Sequence, residues 1–237
     1  MPVYNECATL EEILQRVQAV PLEKEIIVVD NCSTDGSREL MQVWITSGKA
    51  GGMGSQAPIR IIFQEQNRGK GSSVRRALDE SRGEWVIIQD ADLEYDPQDF
   101  LKLLLVAKDQ HCEAVFGTRL LPGSDARQGM PKTSFYFGRL GLAWLFKILF
   151  KTALSDVATC YKLMKRSVAQ QLELESNGFD LDFEIAAKLS KMSQSKNWKL
   201  AEVPISYEPR TELEGKKIHA LRDGWRAIRA LFKYRFI

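Results

Sequence analysis

The sequence predicts an α/β protein in which a mostly parallel sheet is flanked by helices, within a single domain. Short β-branched runs alternate with helical patterns through the first half of the chain, and polar residues follow the ends of these runs. The 237 residues, 44% of them hydrophobic, suffice for one large domain. In doubly wound sheets of this kind, ligands bind beyond the carboxyl ends of the strands.

The first half of the chain supplies four predicted strands and four predicted helices in alternation. The strands are short apolar runs at 25–29, 59–63, 84–89 and 113–119. The helices have apolar spacings of three and four, or start signals, at 8–20, 37–44, 71–81 and 96–108. Leu10, Ile13, Leu14 and Val17 mark the first helix, and Pro97 lies in the first turn of the fourth.

The alternation loosens in the second half of the chain. The predicted elements there are an amphipathic segment at 134–151, helices at 165–174 and 182–191, a strand at 199–207 and an amphipathic tail at 220–237. Basic residues flank the apolar face of the tail, which is typical of a helix that lies on a membrane surface. The alternative is that this face and that of 138–151 pack on the sheet, as most apolar helix stripes do.

The start of the chain, "MPVYNE", is a turn-like segment of the kind that normally follows a strand. No strand precedes it in this sequence. We therefore expect the first strand to be missing from the sheet, or its position to be filled in some other way.

Composition excludes several classes of protein. A net charge of +2 does not demand a nucleic-acid partner, and four scattered cysteines without a CxxC pair favour reduced thiols in a cytoplasmic setting. The N-terminus has no signal-peptide pattern. The most apolar stretch, 140–150, is interrupted by Lys147 and is far shorter than the ~20 residues of a spanning helix.

An acidic run, "VIIQDADLEYDP" at 86–97, follows the third predicted strand. Asp90 and Asp92 are two residues apart, so in an extended segment their carboxylates point the same way. Paired carboxylates form a hard-oxygen site for Mg²⁺ or Mn²⁺. The alternative is a solvated acidic loop at a helix N-terminus, an interpretation that suits Glu94 and Asp96.

Two further segments carry polar residues at predicted strand ends or helix starts. Asp30 ends a strand in "VVDNCSTDG", where the alternative is a plain turn with a helix cap. Lys70, in "NRGKGSSVRRAL", is flanked by glycines and opens a helix, which suits a phosphate or ribose ligand. The segment matches neither a Walker A motif nor a GxGxxG fingerprint.

Taken together, seven segments in order resemble the family 2 inverting glycosyltransferases, which have the Rossmann-like GT-A fold. These segments are "PVYNE" (2–6), "IIVVDNCSTDGS" (26–37), "NRGKGSSVRRAL" (67–78), "IIQDADLEYDP" (87–97), "FGTR" (116–119), "DVATCYKLMKR" (156–166) and "VPISYEPRTELEGKKI" (203–218). The last three look most like the branch that transfers mannose or glucose to polyprenyl (dolichol) phosphate.

The resemblance implies a nucleotide-sugar-binding half at 1–119 and an acceptor-binding half at 120–237. The residues implied to bind the nucleotide sugar are Pro2, Tyr4, Glu6, Asp30, Asn31, Lys70, Asp90, Arg210, Lys216 and Lys217. Asp90, Asp92 and Glu94 are implied to hold the metal ion. The family usually has Asp-Asp where this chain has Asp30-Asn31, which makes the base preference an open point.

The resemblance also implies residues around the acceptor. Arg119 is implied to bind the acceptor phosphate, with Lys132 and Arg139 as candidates that could equally be plain surface residues. Asp156 would orient the acceptor or a basic residue, and with Asp90, Asp92 and Arg210 it completes the implied catalytic set. Asp182 and Glu184 would either support the site or cap a helix. Arg210, Lys216 and Lys217 would close over the donor diphosphate, the alternative being a solvated basic loop.

The sequence thus predicts a metal-dependent glycosyltransferase that moves a hexose from GDP or UDP to polyprenyl phosphate. The expected partners are the nucleotide sugar, the lipid phosphate and the inner face of the membrane, to which the protein would bind peripherally, and not a nucleic acid. A homo-oligomer is left open. Two alternatives remain: transfer to a saccharide or protein hydroxyl, and a non-catalytic module that binds nucleotide sugars or membranes.

Overall fold

The structure is a computed structural model that describes residues 1–48, 57–121, 134–210 and 220–236, without the side chains of 134–137, 139 and 220–223. A first sheet contains the three parallel strands β1 (Pro2–Val3), β2 (Ile26–Asp30) and β3 (Ile59–Phe63), in that order. Every residue of β2 is buried. The middle strand therefore ends, at Asp30, in the interior of the molecule.

The position beside β2 is filled by β1, which is the second of the two possibilities expected from the sequence. Val29 donates its backbone N–H to the Met1 carbonyl over 2.9 Å, and Asn31 donates to the Val3 carbonyl over 2.8 Å. Two hydrogen bonds are enough to make Pro2–Val3 a short parallel strand. As a result, the turn that follows β1 lies next to the carboxyl end of β2.

A second sheet of mixed direction continues the fold. It contains β4 (Trp85–Val86), β5 (Ala114–Thr118), β6 (Lys162–Lys165) and β7 (Leu200–Pro204), in the order β4-β6-β5-β7. β5 and β7 are parallel, whereas β6 runs antiparallel to both β4 and β5. The sequence analysis did not predict β6, because a four-residue strand is too short to show a periodicity.

Helices flank both sheets. In chain order, the described helices are α1 (Leu10–Ala19), α2 (Ser37–Thr46), α3 (Lys70–Glu80), α4 (Asp99–Asp109), α5 (Ser134–Phe150), α6 (Arg166–Gln171), α7 (Leu181–Lys196) and α8 (Ala220–Phe236). The predicted α/β fold with a mostly parallel sheet between helices is confirmed.

Burial of the apolar helix faces holds the layers together. The four residues that marked the first helix, Leu10, Ile13, Leu14 and Val17, are all buried. Burying such a side chain contributes about 1.5–3 kcal/mol relative to leaving it exposed. Packing of this kind fixes the strand ends, and with them the loops that carry the polar residues.

Candidate active site

An acid cluster of Glu6, Asp92 and Glu94 surrounds the guanidinium of Arg210. Arg210 donates to Glu6 over 3.0 Å and to Asp92 over 2.8 Å, and its Nε lies 3.7 Å from Glu94. Glu6 follows β1, and Asp92 and Glu94 follow β4. The structure thus brings together four predicted site residues that are up to 204 positions apart in the chain.

Asp92 is the most perturbed carboxyl group of the acid cluster. Its pKa is raised to about 7, first because of burial and then because of the negative charges of Asp90 and Glu94, while Arg210 lowers it. The Arg210 guanidinium therefore does not offset burial and these two negative charges together. Added positive charge at this position would stabilise the ionised form of Asp92.

Asp90 has a different partner from Asp92. The Lys70 ammonium lies 2.7 and 2.9 Å from the two carboxylate oxygens of Asp90. Although burial opposes ionisation, Lys70 lowers the pKa of Asp90, and the pKa of Lys70 is raised well above its usual value because Asp90 and Asp182 outweigh its own burial. Both groups are therefore charged, and each neutralises the other.

Lys70 reaches Asp90 with its side chain, and not with the helix N-terminus that it opens. The first free N–H groups of α3, on Gly71 and Ser72, donate to the Asn177 carbonyl. Gly69 has a φ of +89°, and a Cβ at this position would lie 2.3 Å from the same carbonyl oxygen. The sequence pattern suggested a phosphate at this helix end, where the structure has a backbone carbonyl.

The predicted metal ligands are divided between two basic side chains. Asp90 pairs with the Lys70 ammonium, whereas Asp92 and Glu94 lie at the Arg210 guanidinium. Among the residues that the structure describes, no three His, Cys, Asp or Glu side chains form a group that could hold a metal ion by themselves. The donor set nevertheless suits a cation of the Mg²⁺ type, which usually takes one or two carboxylates and completes its coordination with water and substrate phosphates. The negative charges of Asp90 and Glu94, which add to burial in raising the pKa of Asp92, favour a cation at the same place.

On the predicted nucleobase side, Asp30 is fully buried. Its Oδ1 accepts the Ser33 N–H over 3.1 Å, whereas its Oδ2 accepts no hydrogen bond from the described residues and lies 3.5 Å from Arg38. Tyr4, which the resemblance implies would pack on the base, has 38% of its surface exposed. Pro2, in β1 and two residues before Tyr4, is half-buried.

Asn31, where the family pattern has a second Asp, has a structural role in this chain. Its Oδ1 accepts the Arg68 N–H and its Nδ2 donates to Asn67 Oδ1, each over 2.9 Å. A carboxylate could make the first of these bonds but could not donate the second. The departure from Asp-Asp therefore ties the end of β2 to the loop that leads into Lys70.

Arg119 and Asp156 form a buried bidentate ion pair. Arg119 Nε and Nη2 donate to the two Asp156 oxygens over 2.7 and 2.9 Å, and the Arg119 N–H donates to the same carboxylate over 3.1 Å. Tyr95 accepts a further bond over 3.0 Å. Asp156 is thus placed to orient a basic residue, which is one of the two roles that the resemblance implied.

Sequence reasoning missed two residues that support this ion pair. Glu202 accepts the N–H groups of Ser155 and Asp156 over 2.7 and 3.2 Å, and burial raises its pKa. The ring of Tyr207 lies 4.8 Å from the Arg119 guanidinium, and its hydroxyl donates to Glu94 over 2.9 Å. Tyr207 is three positions before Arg210, which was the one available signal.

The remaining predicted residues are placed differently. Asp182 pairs with Lys162 over 2.7 Å, and Glu184 accepts the N–H groups of Glu175 and Ser176 over 2.8 and 2.7 Å. Neither caps α7, whose N-cap is Asp180. Lys132, Lys216 and Lys217 lie outside the described residues, as does the side chain of Arg139.

Solved structures with a similar arrangement of elements are glycosyltransferases. The chain superimposes on glucosyl-3-phosphoglycerate synthase from Mycobacterium tuberculosis, solved with UDP, with a TM-score of 0.67, 19% identity and coverage of 100% of this chain and 78% of that one. For the mannosyltransferase PcManGT from Pyrobaculum calidifontis, solved with GDP-Man and Mn²⁺, the values are 0.59, 20%, 98% and 61%. The fold is therefore that of the GT-A glycosyltransferases.

The family model "Glycosyl transferase family 2" matches residues 1–173. The chain therefore belongs to glycosyl transferase family 2. It is 28% identical to the dolichol-phosphate mannosyltransferase of Pyrococcus furiosus, over 91% of this chain and 57% of that protein. It is 26% identical to the low-salt glycan biosynthesis hexosyltransferase Agl6 of Haloferax volcanii, over 97% of this chain and 51% of that protein. The chain thus spans about half the length of these two relatives.

Proposed function

We propose that this chain catalyses metal-dependent, inverting transfer of a hexose, mannose or glucose, from GDP or UDP to polyprenyl phosphate. The observation that carries the proposal is the convergence of Glu6, Asp92, Glu94 and Arg210 at the strand ends, beside the Lys70–Asp90 pair. The family model and the dolichol-phosphate mannosyltransferase of Pyrococcus furiosus support the same reaction class.

In this proposal the donor lies across the ends of β1, β2 and β4. Tyr4 packs on the base beside Pro2, Asp30 accepts a hydrogen bond from the base or ribose, and Lys70 and Arg210 attract the diphosphate. Arginine suits this contact because its planar fork donates to two phosphate oxygens at once. Lys216 and Lys217 complete the basic set in the proposal.

Asp90 and Asp92, with Glu94 nearby, are the residues that would hold the divalent cation. When bound, such an ion supplies Lewis-acid stabilisation of the charge that develops on the leaving diphosphate. The solved mannosyltransferase from Pyrobaculum calidifontis contains Mn²⁺ together with its donor, which supports a divalent metal here.

The choice of acceptor follows from Asp156. An oxygen of a polyprenyl phosphate is already anionic, so it can attack the anomeric carbon while the bond to the nucleoside diphosphate breaks, without a general base. A hydroxyl acceptor needs a base, and Asp156 is 2% exposed with both oxygens bonded to Arg119. This pairing favours the phosphate acceptor. Arg119 is itself only 5% exposed, so we propose that it supplies positive charge from behind the acceptor phosphate and that Lys132 and Arg139 make the direct contacts.

A membrane surface is the proposed site of action, since the acceptor is a lipid. Among the described residues, no helix is long and apolar enough to cross a membrane. α8 instead exposes Trp225, Phe232 and Phe236, with 64%, 44% and 77% of their surface accessible. Aromatic residues with basic neighbours are typical of helices that lie in the plane of the membrane interface.

Transfer assays test the proposed function directly. The chain is incubated with radiolabelled GDP-mannose or UDP-glucose, a short polyprenyl phosphate and Mn²⁺, and labelled lipid is extracted. We expect Asp92→Asn, or excess chelator, to reduce transfer by about a hundredfold or more, because charge stabilisation at the leaving group is lost. Asp96→Asn is the matched control, since Asp96 lies in the same acidic run and bonds the Gln98 N–H.

The same assay separates the alternatives. Transfer to a saccharide or peptide hydroxyl, but not to the lipid phosphate, would replace the acceptor and keep the enzyme class. Absence of any transfer or donor hydrolysis, together with Mn²⁺-dependent donor binding by thermal shift, would instead favour a non-catalytic binding module.

A further inference from the structure

A buried ion pair, Lys162 with Asp182, lies next to Lys70. Lys162, in β6, is 0% exposed, and its ammonium lies 2.7 Å from Asp182 at the start of α7. The Lys162 ammonium also donates to the Thr159 carbonyl. The second oxygen of Asp182 lies 3.7 Å from the Lys70 ammonium. Asp182 therefore lies between two lysines.

The four charges alternate in sign from the interior to the site, in the order Lys162, Asp182, Lys70 and Asp90. Desolvating such groups is expensive, and an apolar pair of similar volume often stabilises a fold at least as well. The Lys162–Asp182 pair is thus a poor device for stability alone. Its second contact, with Lys70, connects it to the donor site.

We propose that Asp182 is a positioning residue that holds the Lys70 ammonium against Asp90, and that buried Lys162 is the fixed counter-ion of Asp182. The inference rests on the proposed function, in which Lys70 and Asp90 contact the donor. Lys70 has a long, flexible side chain, and the Phe179 ring lies 5.7 Å from its ammonium. Asp182 restricts the ammonium to one side, so that donor binding does not have to order it.

The position of Asp182 is itself fixed by the fold. β6 carries Lys162 and pairs with β4, the strand that leads to Asp90. The loop at 176–177 that precedes α7 packs on α3, where a Cβ on Gly71 would lie 2.3 Å from the Ser176 carbonyl oxygen. β6 and the start of α7 therefore hold Lys162 and Asp182 at fixed positions near Lys70.

The test is a mutant cycle on donor affinity. In one variant, called the charge-free pair, Lys162→Met is combined with Asp182→Asn, which leaves neither partner of this pair charged. The triple variant adds Lys70→Met to the charge-free pair. Donor Kd is measured by calorimetry with Mn²⁺ and each of GDP-mannose and UDP-glucose. We expect Lys70→Met to raise Kd about tenfold, as expected for loss of one charge-assisted contact. The charge-free pair should raise it by a similar factor, and the triple variant should be no worse than Lys70→Met.

Two results would overturn the inference. The first is a charge-free pair that binds the donor within about twofold of the wild type, and the second is a triple variant whose loss is the product of the two separate losses. If the charge-free pair does not fold, Asp182→Glu, which keeps the charge and displaces it, takes its place in the cycle with the same expectations. Failure of the wild type to bind any nucleotide sugar would instead refute the proposed function.

The matched control uses another ion pair that involves β6. Glu113→Gln with Lys165→Met removes a pair separated by 3.3 Å, at the far end of the strand from the site. We expect donor Kd to stay at the wild-type value. A change as large as that of the charge-free pair would mean that any charge removal around β6 disturbs the site, which would contradict a specific role for Asp182.

Discussion

Arg210 contacts two of the groups that the proposed reaction needs, Asp92 and Glu6. Its guanidinium lies 2.8 Å from an oxygen of Asp92, one of the proposed ligands of the cation. In the proposed reaction, donor and metal binding would therefore require Arg210 to exchange a carboxylate partner for a phosphate partner. Both partners are anionic, so the exchange retains a charge-assisted contact for the arginine.

Arg210→Met should therefore affect metal binding and transfer in opposite directions. With the guanidinium gone, the three carboxylates attract a cation more strongly, and we expect Mn²⁺ to bind the donor-free chain about tenfold more tightly. Transfer should fall about a hundredfold, because the diphosphate loses a contact as charge develops on it. Calorimetry with MnCl₂ and the lipid transfer assay measure the two effects.

Arg16→Met is the control for this prediction, because Arg16 is an exposed residue of α1 that pairs with Glu12. It should leave both quantities unchanged. Equal Mn²⁺ affinity in Arg210→Met and the wild type would show that the arginine does not compete with the cation.

Asn31 provides a second prediction for a single residue. Asn31→Asp restores the usual family pattern, but it removes the donor to Asn67 and places a second carboxylate beside buried Asp30. We expect a loss of about 1–2 kcal/mol in the free energy of unfolding, measured by urea denaturation. A variant as stable as the wild type would mean that the Asn31–Asn67 bond contributes nothing, and that Asn31 must be explained through the ligand.

At the scale of elements, α3 and the loop before α7 are in close backbone contact next to the site. Gly71 donates its N–H to the Asn177 carbonyl over 2.7 Å, and the space for a Cβ is taken by the Ser176 carbonyl. Lys70 directly precedes Gly71 in the chain. The close approach of the two backbones thus fixes the backbone position from which the Lys70 side chain extends.

Gly71→Ala should consequently destabilise the fold. A Cβ 2.3 Å from a backbone oxygen forces α3 and the loop apart, with an expected loss of about 1–3 kcal/mol in the free energy of unfolding. Gly141→Ala is the matched control in α5, where nothing lies within 4 Å of the added Cβ, and a gain of about 0.5–1 kcal/mol is expected from helix propensity. Thermal and urea unfolding of both variants measure the difference. The interpretation is wrong if the two substitutions have the same sign.

The elements also show what the sequence could and could not predict. Periodicity located α1 and α4 because each buries an apolar stripe, and the acidic run was placed correctly at a strand end. β1 and β6 were missed because strands of two and four residues carry no pattern. The partners of Asp92, Asp182 and Asn31 were not predictable, because each contact joins segments that are distant in the chain and depends on side-chain geometry.

At the scale of the whole molecule, α5 and α8 pack together and extend the apolar surface beyond the core. The tail helix divides its apolar residues between two faces, since Leu231 and Tyr234 are buried while Trp225 and Phe232 are exposed. The expectation that an apolar face of the tail packs on the rest of the chain is met by the buried residues, and the exposed ones leave the membrane-surface interpretation as a prediction. α5 adds Trp144, which is 67% exposed.

If this surface meets the membrane that supplies the lipid acceptor, replacing its aromatic residues should weaken lipid binding without unfolding the chain. Trp225→Ala with Phe232→Ala removes two exposed rings, and loss of about 1.5 kcal/mol or more for each predicts at least about a hundredfold fall in partitioning. Binding should also be stronger to anionic than to neutral vesicles, because α8 also exposes Arg229 and Arg235 and each basic residue contributes about 1 kcal/mol at an anionic surface. Sedimentation with phosphatidylglycerol and phosphatidylcholine vesicles measures both effects.

Leu105→Ala, which removes an equally exposed apolar residue from α4, should leave partitioning unchanged. Equal sedimentation of the double variant and the wild type would show that α8 is covered by something other than lipid.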